Sequence, residues 1–310
     1  MNHFINISDL SKNELRSIID GAKKRKSERG KKPQSQTDDY QPLQGKTMIM
    51  IFEKTSTRTR ISFDLAVKQL GGSSIILNQD EIHYGKGDET IKDTAKVLSQ
   101  YADILMIRTD LHKNVDEFKK YLEIPIINGL TDQGHPCQVM SDILTFEELK
   151  GNIKGKNIAW IGDGNNVANS LILSGALLGI EVRVACPKGY EPSPYVVNKA
   201  LQIYKDKKLL KISNDPFLAA RGANVLYTDV WSSMGEENKK QDKDKDFKGF
   251  TIDKNLLSNT DEDAIVLHCL PAYRFKEITD EVFESKNSRI FQQAENRLHV
   301  QQALLACLLS

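Results

Sequence analysis

The sequence predicts an α/β protein with two doubly wound domains, each a central parallel sheet flanked by helices. Short apolar runs such as Met48-Ile49-Met50-Ile51-Phe52 and Ile158-Ala159-Trp160-Ile161 alternate with segments of helical spacing. That is the pattern of parallel strands buried on both faces. The alternation comes as two series that meet near Lys150-Gly151-Asn152. A length of 310 residues suits about two domains of ordinary size.

The chain opens with a helix. Ser11-Lys12-Asn13-Glu14 is a capping box, and Leu15, Ile18, Ile19 and Ala22 follow at helical spacing. A basic cluster comes next: Lys23, Lys24, Arg25, Lys26, Arg29, Lys31 and Lys32, opposed by Glu28. It reads as a helix C-terminus running into a solvated loop, where cations complement the helix dipole. In the first series strands are expected at 46–52, 74–77, 103–107 and 124–128, with helices at 59–70, 90–101, 114–121 and 138–149. The second series has strands at 157–161, 181–185, 224–227 and 264–267, and the segment 294–309 is helical by composition.

Bulk properties exclude several classes of function. Lys+Arg 43 against Asp+Glu 42 leaves a net charge of +1, which gives no global attraction to nucleic acid or membrane. The basic cluster is local and has no interleaved aromatics. No apolar run reaches the roughly 18 residues of a membrane span. Met1-Asn2-His3-Phe4 lacks a basic start and an apolar core, so no secretory signal is expected. Cys137, Cys186, Cys269 and Cys307 are scattered, which suits a reduced, cytoplasmic protein.

The polar motifs fall after strands, where open parallel sheets bind ligands. In the first, Ser56-Thr57-Arg58-Thr59-Arg60, three hydroxyls and two guanidiniums gather where a strand gives way to a helix. The N–H groups and positive dipole end of that helix point to the same place, which suits a phosphate or similar oxyanion. Arg108 follows the 103–107 strand. His135-Pro136-Cys137-Gln138 puts an imidazole, able to donate to a carbonyl oxygen, at the start of a helix. Asp229-Val230-Trp231-Ser232-Ser233-Met234-Gly235 offers an acid, hydroxyls and a glycine suited to an amino acid. The charge-dense segment 236–248 behind it reads as a mobile surface loop able to close over a site. His268-Cys269-Leu270-Pro271 follows the last strand.

Two alternatives fail on spacing. His135, Cys137, His268 and Cys269 do not match common zinc sites, so no metal is expected. Gly162-Asp163-Gly164-Asn165-Asn166 lacks the third glycine of a dinucleotide fingerprint, and no acidic ribose ligand ends the next strand near Cys186-Pro187.

Taken together, the motifs resemble the aspartate/ornithine carbamoyltransferase family over nearly the whole chain. S-T-R-T-R and H-P-x-Q mark its carbamoyl phosphate half, and D-x-x-x-S-M-G and H-C-L-P its ornithine branch. The resemblance implies a carbamoyl phosphate-binding domain at 1–148 and an ornithine-binding domain at 149–293. The C-terminal helix, 294–310, is expected to pack back on the first domain. The implied reaction moves the carbamoyl group of carbamoyl phosphate to the side-chain amine of ornithine, giving citrulline and phosphate in arginine biosynthesis. No cofactor is needed, because carbamoyl phosphate is already reactive.

By the same resemblance, Ser56, Thr57, Arg58 and Thr59 hold the phosphate, with Arg108 assisting. The carbonyl and amide meet Thr59, Arg108, His135 and Gln138, and Arg297 and the Leu270 carbonyl lie at this site. Asn166, Asp229, Ser233 and Met234 hold the α-groups of ornithine, and Cys269 lies near its side-chain amine. Arg108, His135 and Cys269 are the expected catalytic residues. The family is trimeric with active sites at subunit interfaces, and its Leu270–Pro271 bond is cis. One departure is His83, where bacterial relatives usually have Gln; in the family this loop reaches a neighbouring subunit's site. The rival readings are a carbamoyltransferase for putrescine or an acylated ornithine, and a paralogue that only binds. Putrescine leaves the S-M-G element without a carboxylate to hold, an acylated substrate has no α-ammonium for Asp229, and the paralogue is expected to have lost Arg58, His135 or Cys269.

Overall fold

The computed structural model describes residues 1–85, 89–232 and 240–309. The chain divides into two compact units, Met1–Leu144 with Glu295–Ser310, and Thr145–Ala294. No helix among the described residues is long and apolar enough to cross a membrane.

In chain order the first series contains α1 (Lys12–Arg29), β1 (Thr47–Phe52), α2 (Thr57–Gln69), β2 (Ser73–Asn78), α3 (Ile91–Tyr101), β3 (Ile104–Arg108), α4 (His112–Tyr121), β4 (Ile126–Leu130) and α5 (Pro136–Lys150). The sheet order is β2-β1-β3-β4, all parallel. One core layer joins Ile49, Ile51, Leu105 and Ile107 to Val115 and Phe118. The central strands β1 and β3 are buried almost throughout, which is why they read as continuous apolar runs. β4 lies two residues beyond its expected start. Pro125 has no N–H to donate, and Gly129, past the expected end, extends the strand. A Cβ there would come within 2.5 Å of the Met106 sulfur, so a side chain at this position would require Met106 to shift.

The capping box at Ser11 forms as expected: Ser11 Oγ accepts from Glu14 N and Glu14 Oε2 accepts from Ser11 N at 2.8 Å. The solvated reading of the basic cluster fails at Arg29. Arg29 is buried, ion-paired with Asp38, and donates to the Pro33 and Gln36 carbonyls. The segment after α1 therefore folds over the helix end and gives both terminal nitrogens of this guanidinium acceptors.

The second series contains β5 (Asn157–Ile161), α6 (Asn166–Leu178), β6 (Glu181–Ala185), α7 (Pro194–Ile203), β7 (Leu210–Ser213), α8 (Pro216–Ala220), β8 (Val225–Thr228), α9 (Lys240–Asp246), α10 (Lys254–Ser258), β9 (Ile265–His268), α11 (Asp280–Phe283) and α12 (Ile290–Leu309). The order is β7-β6-β5-β8-β9, again parallel. The core gathers Ile161, Leu226 and Val266 with Trp231, Phe247, Phe250 and Ile278. β7 has no counterpart in the sequence reading. It is a four-residue edge strand with exposed Lys211 and Ile212, too short and too polar for an apolar run.

The 236–248 segment departs from the mobile-loop expectation over its described part. Residues 240–246 are helical, Phe247 is fully buried, and Lys243 is buried with its Nζ donating to Asp163 Oδ2 and to the Trp231 carbonyl, each at 3.0 Å. Charge density suggested solvent, but a single aromatic and a single buried ion pair anchor the segment. Residues 236–239 lie outside the described residues.

Both sheets reverse winding direction once. In the first the reversal lies between β1 and β3, in the second between β5 and β8. Ligands of doubly wound sheets sit beyond the carboxyl ends of strands at such points.

Candidate active site

In the first unit the reversal point carries the S-T-R-T-R segment. β1 ends at Phe52, paired in register with Arg108, the last residue of β3. Ser56 is the N-cap of α2 in extended conformation, and its side chain makes no capping bond. Thr57, Arg58 and Thr59 form the first turn, where backbone N–H groups lack intrahelical acceptors. Ser56 and Arg58 are half-buried and Thr57 is exposed, while Thr59 is fully buried.

Thr59 Oγ1 accepts from Arg297 Nη2 at 2.7 Å and from Arg108 Nη1 at 3.3 Å. Two accepted bonds leave its O–H to donate. The guanidiniums act on His135, which is buried at the start of α5. Burial, then the charges of Arg297, Arg108 and Arg58, hold its pKa well below the ordinary 6.5. His135 is therefore a neutral imidazole in a field of three positive charges. Its neighbour Cys137 is fully buried and its thiol is pushed up to about 12, so it is neither nucleophile nor metal ligand here. Gln138 donates through Nε2 to Asp142 Oδ1 at 2.9 Å, leaving Oε1 buried without a partner among the described residues. An acceptor in that state suits an incoming N–H.

In the second unit the reversal point carries Asn165 and Asp229. Asn165 caps α6, its Oδ1 accepting from Val167 N and Ala168 N. Its Nδ2 donates to Asp229 Oδ2 at 2.9 Å, so the cap also aims the carboxylate. Asn166 is the half-buried first residue of α6. From the sequence both Asn165 and Asn166 are placed after the 157–161 strand, with the ornithine role given, of the two, to Asn166 alone; the strand–Gly-x-Gly-Asn–helix pattern marks Asn165 as the cap. The glycines also have a reading that involves no nucleotide. A Cβ on Gly164 would lie 2.3 Å from Pro192 N, so the close approach is to the protein's own backbone.

His268 ends β9, and its ring is fully committed. Nδ1 accepts from Leu270 N at 2.9 Å, which places the proton on Nε2, 3.1 Å from the buried Glu277 Oε1. Glu277 Oε1 also accepts from Tyr273 N at 2.5 Å. These bonds hold Leu270 at φ 60 before the cis Leu270–Pro271 bond. Asp229, His268 and Cys269 bring potential ligand atoms within 4.8 Å of one another. With both His268 nitrogens occupied, this arrangement offers a cation two ligands from the trio rather than three. It is a buried polar corner of an acid and a thiol.

Thr59, Arg58, Arg108, His135 and Arg297 thus gather in the first unit, and Asp229 and Cys269 in the second. His83 is exposed. Ser233 and Met234 lie outside the described residues.

Residues 2–148 match the carbamoyl-P binding domain of the aspartate/ornithine carbamoyltransferases, and residues 154–308 match their Asp/Orn binding domain. The chain is 57% identical over 309 residues to an ornithine carbamoyltransferase of Prochlorococcus marinus strain MIT 9312, covering 100% of this chain and 97% of the relative. The ornithine carbamoyltransferase of Pyrococcus furiosus superposes with a TM-score of 0.92 at 43% identity, over 98% of this chain and 96% of that one. The anabolic ornithine carbamoyltransferase of Campylobacter jejuni gives 0.90 at 40% identity, over 99% of both.

Proposed function

The chain belongs to the aspartate/ornithine carbamoyltransferase family, and on that premise we propose how its residues divide the reaction. The protein transfers the carbamoyl group of carbamoyl phosphate to the side-chain amine of ornithine, giving citrulline and phosphate. The observation that carries the division is the double hydrogen bond of Arg108 and Arg297 to Thr59, beside a buried, neutral His135.

The phosphate is held by Ser56, Thr57, Arg58 and Thr59, through hydroxyls, open helix N–H groups and guanidinium charge. The carbonyl oxygen is met by Arg108, His135 and the Thr59 O–H. A neutral His135 can donate to it without adding another charge to the arginines around it. Gln138 Oε1 accepts from the carbamoyl N–H, and Arg297 and the Leu270 carbonyl complete this half.

Asp229 takes the α-ammonium of ornithine, oriented by Asn165, with Asn166, Ser233 and Met234 assigned to the remaining α-groups and Cys269 beside the side-chain amine. That amine has a lysine-like pKa of about 10.4 in water, and only its neutral form attacks. Its nitrogen bonds to the carbonyl carbon, negative charge gathers on the oxygen, and Arg108, His135 and Thr59 stabilise it. The bond from carbon to the phosphate oxygen then breaks, and the leaving phosphate takes the proton the amine sheds. Alignment of two bound substrates supplies much of the acceleration. Asp229 binds rather than acts as base, because a carboxylate beside the reacting amine would favour its protonated form.

We further assign the protein to the cytoplasm and to arginine biosynthesis, as a homotrimer whose His83 serves a neighbouring active site. The first assignment rests on the scattered cysteines, and the others on the family. Sedimentation of the full chain tests the trimer; a monomeric active enzyme would overturn it. The reaction itself is tested by citrulline formation with ornithine, putrescine and N-acetylornithine as competing acceptors. Selectivity for ornithine is expected, whereas folded protein that binds carbamoyl phosphate but turns over none of the three would be a binding paralogue.

A further inference from the structure

Glu53 sits between β1 and the Ser56–Thr59 turn, and its carboxylate gathers three neutral donors. Oε1 accepts from Tyr84 Oη at 2.7 Å and Asn114 Nδ2 at 3.3 Å, and Oε2 from Thr109 Oγ1 at 2.5 Å. Its backbone N–H donates to the Arg108 carbonyl at 2.9 Å. One side chain thus ties together the segment before the phosphate turn, the residue after Arg108, and the residue after His83.

The Tyr84 end is held twice. Its ring packs edge-on against Phe118 with centroids 5.1 Å apart, inside the core layer, and its hydroxyl reaches Glu53. Ile82 and Tyr84 are buried, at 6% and 5% exposure, and His83 between them is exposed. The alternation is that of extended chain, so fixing Tyr84 inward fixes His83 outward. Burial and the Glu53 charge raise the hydroxyl's pKa, so it stays a donor throughout the working pH range.

We propose that Tyr84 is a positioning residue for His83, its hydroxyl bond to Glu53 setting where that imidazole is presented to carbamoyl phosphate. This rests on the reading that His83 meets that substrate. A ring anchored only by apolar packing can slide along Phe118, and the polar bond removes that freedom. Tyr84 acts through its neighbour and touches no substrate.

The test is a double-mutant cycle in the full-length enzyme, following citrulline formation with each substrate varied in turn. His83→Ala and Tyr84→Phe are each expected to raise the KM for carbamoyl phosphate about fivefold, the size of one net hydrogen bond, with the KM for ornithine within about twofold. The double variant is expected to be no worse than His83→Ala, since a support has no effect once the residue it supports is gone. Tyr84→Phe keeps the ring and its packing; if it does not fold, Glu53→Met, which removes the acceptor at similar length, replaces it in the same cycle. Effects that multiply in the double variant overturn the positioning role, as does a Tyr84→Phe enzyme with unchanged KM beside an impaired His83→Ala. A His83→Ala enzyme with unchanged KM instead overturns the reading of His83 and the proposal with it.

Discussion

Arg297, on the last helix, donates to Thr59 Oγ1 at 2.7 Å across 238 positions of sequence. Arg108 reaches the same oxygen from the end of a strand. One buried hydroxyl therefore sets the spacing of two guanidiniums around the proposed carbonyl site. Thr59→Val keeps the shape and removes the acceptor. Bonds to charged donors contribute about 1.5–3 kcal/mol, so kcat/KM for carbamoyl phosphate is expected to fall about 100-fold while the KM for ornithine holds. A fall of less than threefold in steady-state assays would sink the Thr59 assignment.

Arg58 is the guanidinium in the first turn of α2, assigned to the departing phosphate. Arg58→Gly is expected to abolish turnover and leave the circular dichroism spectrum intact. Retention of more than about a tenth of the wild-type kcat, a loss under roughly 1.4 kcal/mol, contradicts the phosphate role.

His135 carries a pH dependence whose sign follows from its surroundings. Burial, then Arg297, Arg108 and Arg58, depress its folded pKa well below 6.5, so the unfolded chain binds a proton that the folded protein refuses. This contribution to stability is in place above about 6.5 and is lost as pH falls toward the folded value, at up to about 1.4 kcal/mol per pH unit. His135→Gln should flatten that part of the denaturation profile between pH 7 and 5. Imidazole NMR should find His135 neutral at pH 6; titration near 6.5 would show that the arginines do not act on it.

Asp229 is aimed by the Asn165 cap and assigned to the α-ammonium. Asp229→Asn should raise the KM for ornithine about 50-fold, within the range for a bond between charged groups, and leave the KM for carbamoyl phosphate unchanged. An equal rise in both would mean that Asp229 supports the fold rather than the acceptor.

Arg29 and Asp38 form a buried pair outside the proposed site, with Gln302 Nε2 donating to Asp38 Oδ2 at 3.2 Å. Arg29→Ala strands the carboxylate and should destabilise by about 3 kcal/mol. Both KM values should hold, as urea denaturation set beside kinetics would show.

Local sequence determined the elements and the place of the motifs. Apolar runs marked the central strands because a strand buried on both faces needs every side chain apolar, and Ser11 marked a helix start through its own neighbours. S-T-R-T-R, H-P-x-Q and H-C-L-P were legible because the carboxyl ends of parallel strands collect polar residues. Edge strand β7 and the anchored helix α9 were not, because an edge needs little burial and one Phe247 outweighs a run of charge. The tertiary structure alone decided that Arg297 meets Thr59, that His135 is neutral, that Asn165 rather than Asn166 aims Asp229, and that Arg29 is sealed against Asp38. Each depends on desolvation and charge acting through space between residues far apart in the chain, whereas periodicity records only the direction a side chain takes from its own backbone.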